Sequence, residues 1–188
     1  PLQAIGVASD ITLQKHHEEL LRLQSEFARL AGEAADRDAL YDVIMAMALA
    51  LPDLDSGGLY LREAGGGYRL IRHRGLSADF VSAIGYLSPD SPQVRLVEHG
   101  EQQCACRRAS PACTHPEMLR QPAVVAEGIL SLVVLPILRN ARPIACLNLA
   151  SKHLDMLDPV ALAGMQTLAR QFGMALQHHL DAEETVHQ

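Results

Sequence analysis

An α+β fold around an antiparallel sheet is what this sequence predicts. Two pairs of apolar segments, 57–63 with 68–74 and 129–139 with 143–151, are each joined by a short turn, the pattern of β-hairpins. Helical stripes stand at the two ends of the chain. Runs of adjacent strands flanked by helices argue for antiparallel pairing over βαβ winding.

Taken in order, residues 2–10 form a short apolar stretch that reads as a strand, followed by a turn at Asp10-Ile11-Thr12. A helix comes next. Leu13, Leu20, Phe27 and Ala34 recur every seven residues, and His16, Leu23 and Leu30 recur on the same spacing three residues later. That is an a/d pattern over about three heptads, the minimum for a coiled coil, and predicts a parallel homodimer. The competing reading is an amphipathic helix packed on its own domain. Gly32 and Ala34-Ala35-Asp36 interrupt it, and a second helix spans 38–51, entered through acidic capping residues and ended by Pro52 and Asp53.

In the first hairpin Leu59 and Leu61 share a face, and Gly65-Gly66-Gly67 makes the turn. That triple glycine is no phosphate loop, because no helix follows it and no Lys-Ser/Thr pair ends it. Ser77 caps a short helix reaching Tyr86. Ser88-Pro89-Asp90-Ser91-Pro92 opens another, which Gly100 stops after His99. Residues 101–116 read as a loop, and a short helix is expected near Pro122. The run 129–139 is apolar almost throughout, as in a strand covered on both faces. After the second hairpin, Asp158-Pro159 starts the last helix, with the stripe Leu162, Met165, Leu168, Phe172, Ala175, Leu176 and His179.

Composition narrows the function classes. The chain has 188 residues, 48% of them apolar, enough for one domain with a core. Aromatics make up 4% with no Trp, so Leu, Ala, Val, Ile and Met must fill that core. A net charge of −6 without a basic tract argues against nucleic acid as a direct partner. The most apolar run, 129–138, is shorter than the roughly 18 residues of a membrane span and contains Pro136. No signal peptide opens the chain, which makes the cytoplasm the expected location. The chain starts at Pro1, as if in the middle of a fold.

Two segments carry family resemblances. Gly6 to Lys15, with its Asp10-Ile11-Thr12 triplet leading into a helix, resembles the closing strand of a PAS domain. Gly128-Ile129-Leu130-Ser131-Leu132-Val133-Val134-Leu135-Pro136-Ile137 and Arg142-Pro143-Ile144-Ala145-Cys146-Leu147-Asn148-Leu149-Ala150-Ser151 resemble two central strands of a GAF domain. The resemblance implies an antiparallel sheet of five or six strands. The N- and C-terminal helices would cover one face, and a small-molecule pocket with helices and loops the other. It implies a PAS tail over 1–12, a coiled-coil signalling helix over 13–34, a GAF domain over 35–182 and a linker to an output domain over 183–188. The parent would be a histidine kinase or diguanylate cyclase, with the terminal helices forming a homodimer. By elimination the pocket lies within 80–127, where Phe80, Tyr86, Cys104, Cys106 and Cys113 are the candidate ligand contacts.

Cys104-Ala105-Cys106 followed by Cys113-Thr114-His115 concentrates three thiols and an imidazole. These are donor types for tetrahedral zinc or an iron–sulfur cluster. Paired zinc cysteines are usually two to four residues apart, so a one-residue spacing departs from the rule. Arg107 and Arg108 favour thiolates and hence also a redox role. His99 is a further donor candidate. Incidental thiols on a loop are the third reading. Cys146, on a strand, reads as a small buried hydrophobe.

Thr114 separates Cys113 from His115, unlike the Cys-His pair typical of bilin-binding GAF domains. Haem would need an axial His99 or His115, and cyclic-nucleotide binding stays open. His178 and His179 lack the neighbours of a kinase phosphoacceptor. The expected function is therefore small-molecule or redox sensing in a multidomain signalling protein. The alternatives are thiol-dependent reduction of free methionine sulfoxide through Cys104 and Cys113, or a dimerising spacer without a ligand.

Overall fold

The computed structural model describes residues 2–51, 53–111 and 113–186, with side chains for all of these except 2–13, 16 and 182–186. Six antiparallel strands form one sheet in the order β3-β2-β1-β6-β5-β4. They are β1 (Ser56–Arg62), β2 (Tyr68–Arg74), β3 (Tyr86–Leu87), β4 (Gln103–Cys106), β5 (Ser131–Arg139) and β6 (Arg142–Ser151). The helices are α1 (Leu2–Glu33), α2 (Arg37–Ala48), α3 (Ala78–Ile84), α4 (Pro92–Glu98), α5 (Pro122–Glu127) and α6 (Pro159–Val186), and a 3₁₀ turn spans Pro116–Arg120.

The two hairpins are local and form as their sequences predict. β5 and β6 pair from Ser131↔Ser151 to Arg139↔Arg142. Asn140 and Ala141 both turn with positive φ, 49° and 63°. That is the twist a two-residue hairpin loop demands. β6 then pairs with β1, joining the hairpins into one sheet. Gly57 permits this approach, since a Cβ there would lie 2.8 Å from the carbonyl oxygen of Asn148. Pro136 is tolerated because β4 ends opposite Val134, leaving β5 with a partner on one side only at that point.

Strand alternation divides the interior into two cores. Leu59, Val133, Leu135, Ile137, Ala145, Leu147 and Leu149 meet α1, α2 and α6 on one face. Tyr60, Ala105, Val134, Cys146 and Ala150 meet α3, α4, α5 and the 3₁₀ turn on the other. On the helix side, the Phe27 ring of α1 meets the Phe172 ring of α6 edge-on at 4.7 Å. The α6 stripe is buried at Leu162, Met165, Leu168, Phe172 and Leu176.

Two expectations are corrected. The segment read as a strand over 2–10 is helical, part of one helix running from Leu2 to Glu33. An isolated strand outside the sheet leaves its backbone groups unpaired, whereas a helix satisfies them internally. Residues 101–116 are not all loop, because Gln103–Cys106 pairs with β5 as an edge strand. From Leu20 to Ala34 the a/d stripe of α1 packs on the chain's own domain. Leu23 and Phe27 are 1% and 2% exposed in the chain's own core, and Leu20, Leu30 and Ala34 pack against it. An apolar stripe buries itself on whatever apolar surface is available, and here α2, α6 and the sheet supply it. The heptad positions Leu13 and His16 lie outside the described side chains, and Pro52 lies outside the described residues. The stretch 183–188 continues α6 as far as Val186, and residues 187 and 188 lie outside the described residues. Among the described residues no helix is long and apolar enough to cross a membrane.

Candidate functional site

A cavity lies between the sheet and α3–α5. Its floor is Gly57, Gly58, Tyr60, Leu132, Val134, Asn148 and Ala150, contributed by β1, β5 and β6. Its walls include Phe80, Ile84, Leu87, Met118 and Val124, and Gln93 and Gln121 are its other polar residues. No charged side chain lines it. About 60 Å³ is open to the centre of a water molecule, against the roughly 10–15 Å³ that one water needs. As it stands, the cavity holds a few waters or a molecule of a few heavy atoms, and a tetrapyrrole does not fit.

Local sequence explains how the walls are held. Ser77 caps α3, its hydroxyl accepting from the Phe80 N–H at 3.2 Å, which turns Phe80 inward. Ser91 caps α4 in the same way, accepting from Val94 N–H at 3.3 Å. Gly128 ends α5 with φ 78° and leads the chain into β5. Glu127 fastens these pieces together. Its carboxylate accepts from Ser77 N–H at 3.0 Å, from the Ser77 hydroxyl at 2.5 Å and from Lys152 Nζ at 2.6 Å. Burial raises the pKa of this carboxyl, but the Lys152 and Ser77 bonds outweigh it and hold it below the usual carboxylate range. Within the lining, Gln93 donates to Gln121 Oε1 at 2.7 Å.

The cavity floor has two unsatisfied polar atoms. Tyr60 Oη and Asn148 Oδ1 are both buried without a hydrogen-bond partner. Burial pushes the Tyr60 phenol far above its ordinary range, aided by Cys146, while neighbouring Asn148 opposes the shift without reaching hydrogen-bond geometry. Tyr60 therefore stays a neutral hydroxyl, able to donate or accept. Polar atoms left unpaired inside a protein are uncommon, and each calls for an explanation.

Of the residues singled out in the sequence, Phe80 lines the cavity. Tyr86 does not: it is 44% exposed, with the Arg69 guanidinium over its ring at 5.2 Å. Its neighbour Leu87 points inward instead, because adjacent residues of a strand face opposite ways. Cys104, Cys106 and Cys113 do not line this cavity and belong to the core on the helix face of the sheet. His115 does not join them. Its Nδ1 meets Glu117 Oε1 at 2.8 Å, and among the described residues the metal-type donor group is the three cysteines alone. His99 is exposed at the end of α4. Cys146 is fully buried, and burial raises its thiol pKa.

Tyr60, Asn148, Gln93 and Gln121 were not anticipated. Two signals were nevertheless present. Placing Leu59 and Leu61 on one face puts Tyr60 on the other, and Asn148 is a polar interruption in an otherwise apolar strand.

Residues 34–177 match the family described as GAF domain. No curated protein matches the chain. Among solved structures it is similar to the GAF domain of a protein named as a sensor histidine kinase from Pseudomonas syringae pv. tomato, 16% identical, with a TM-score of 0.66 over 94% of this chain and 97% of that one. It is similar to the GAF domain of a phosphoenolpyruvate-protein phosphotransferase from Coxiella burnetii, 15% identical, with a TM-score of 0.66 over 88% and 96%. A third likeness is to the chromophore-binding domain of a bacteriophytochrome from R. palustris, 14% identical, with a TM-score of 0.66 over 88% and 63%. At these identities the likeness is one of fold.

Proposed function

The chain belongs to the GAF domain family, and from that premise we propose that it is a regulatory module sensing a small uncharged molecule in the cavity between the sheet and α3–α5. The observation that carries this is the pair of unpartnered polar atoms, Tyr60 Oη and Asn148 Oδ1, on the floor of an otherwise apolar cavity. A few converging polar groups on an apolar lining are what orients a small ligand. The absence of a charged lining residue selects against anions such as cyclic nucleotides, because a buried charge without a counter-charge is costly. The ligand would lie against α3–α5, and its signal would leave through α1 and α6, which meet on the far side of the same strands. Small shifts of packed helices suffice for such transmission. Homodimerisation belongs to this reading, through outward faces of α1 and α6 that leave Leu21 and Met174 50% and 66% exposed. The parent would be a multidomain signalling protein of the histidine kinase or cyclase type.

A thiol-dependent reductase is disfavoured by geometry, since the cysteine cluster and the cavity lie on opposite faces of the sheet. The test is thermal shift against neutral and anionic metabolites, alongside mass spectrometry of what co-purifies. A ligand at a hundred times its Kd stabilises by about 2.7 kcal/mol, a rise of roughly 5–10 °C for a domain of this size. The rise should vanish in Asn148→Leu. A response confined to anions, or one that Asn148→Leu leaves intact, refutes the proposal.

A further inference from the structure

We propose that Cys104, Cys106 and Cys113 form a binding site for one soft, thiophilic metal ion, with zinc as its probe. The site lies on the sheet face opposite the cavity and is independent of the sensing role proposed above. The one-residue spacing of Cys104 and Cys106, poor for a metal-binding turn, has a different meaning on a strand. Residues i and i+2 share a face, so β4 presents both sulfurs to the same side.

The segment after β4 then brings back the third sulfur. Arg107 N–H donates to Leu130 O at 2.9 Å and Arg108 N–H to Asp155 O at 2.9 Å, pinning the outgoing chain. His115 N–H donates to Cys104 O at 3.1 Å, pinning the return. Cys113 is thereby held over β4. Its Sγ lies 2.8 Å from that of Cys104, and Cys104 Sγ lies 3.5 Å from that of Cys106. Cys106 and Cys113 form a disulfide, and the metal-binding state is the one in which a small-molecule thiol has reduced that bond, its two electrons and two protons yielding the Cys106 and Cys113 thiols and leaving the reductant as its own disulfide. All three sulfurs fall within 4.8 Å of one another.

The number of converging sulfurs decides between the readings. A disulfide accounts for two of them and leaves Cys104 pressed against the pair without a role. A single ion takes all three. An iron–sulfur cluster asks for four cysteines, and the remaining one, Cys146, belongs to the core on the opposite face. Three thiolates suit a soft ion such as zinc, whose fourth position would go to water or a small thiol. Each thiol gives up its proton on binding, so affinity should climb with pH.

The experiment uses the full chain, reduced and kept anaerobic, titrated with Zn²⁺ against a chromophoric chelator. One zinc per chain is expected. Cys113→Ser, at a half-buried loop position, should weaken binding at least tenfold, as should Cys104→Ser, while Cys146→Ser should bind as the parent does. Should Cys104→Ser not fold, Co²⁺ loaded into the unaltered protein gives the same answer, because its sulfur-to-metal absorption scales with the number of thiolates. An intensity of three thiolates supports the site. No retained metal, an intensity of two or fewer, or undiminished binding by folded Cys104→Ser overturns it.

Discussion

Replacing Tyr60 by Phe should make the free domain more stable, although it removes a polar group. Tyr60 is fully buried, and its hydroxyl has no hydrogen-bond partner among the described residues. Folding therefore strips water from that oxygen with no compensating bond. Mutational data put this cost at about 1–3 kcal/mol. Phe keeps the ring and its contacts, so most of the cost should be recovered, about 1–2 kcal/mol. For a chain of this length each kcal/mol moves Tm by about 2–4 °C, which predicts a rise of about 2–8 °C. Denaturant unfolding should show a higher midpoint with an unchanged slope, the sign of altered stability without altered compactness. The same variant should respond less to any ligand that stabilises the parent, the usual trade between stability and a functional polar group. A lower midpoint in Tyr60→Phe would refute the reasoning, for it would mean that the hydroxyl is satisfied in the free state.

Glu127→Gln should destabilise by about 2 kcal/mol near neutral pH, the scale of hydrogen bonds made to a charged group, and equilibrium unfolding measures it. Because the folded-state pKa of Glu127 is depressed, its contribution is present above the unfolded carboxylate value and is lost as pH falls through the folded one. The gap between parent and variant should accordingly narrow from about pH 5 downward, and a constant gap would contradict the assignment. Ala141→Gly should stabilise by about 1 kcal/mol, since Ala141 turns at φ 63°, a conformation that costs a residue with a Cβ roughly that much. Its unfolding midpoint should rise, and a fall would show that the hairpin turn is relaxed with alanine in place.

Both hairpins, helices α2 to α6 and the antiparallel class were legible because each depends on neighbours in sequence. Alternation marks a strand face, Ser77 and Ser91 mark helix starts, and Gly100 marks a helix end. The cavity floor was only half legible. Tyr60 and Asn148 were visible as out-of-phase residues, but that they lie on one floor follows from the β1–β6 pairing, which joins segments some ninety residues apart. Tyr86 and Leu87 show how narrow the margin is, since a shift of one residue along a strand exchanges the cavity for solvent.

By itself, then, the sequence determined the local elements and their apolar faces, whose periodicity is built into the backbone geometry of helix and strand. Tertiary structure alone decided what each face would meet. The α1 stripe reads the same whether it packs on a second copy or on its own sheet, and it packs on Phe172 and its neighbours. The run around Cys104 is too short to announce a strand, and only its pairing with β5 brings two cysteines to one side beneath a third. Burial is a property of the assembled chain: periodicity specifies an apolar surface, and only the completed packing specifies which surface covers it.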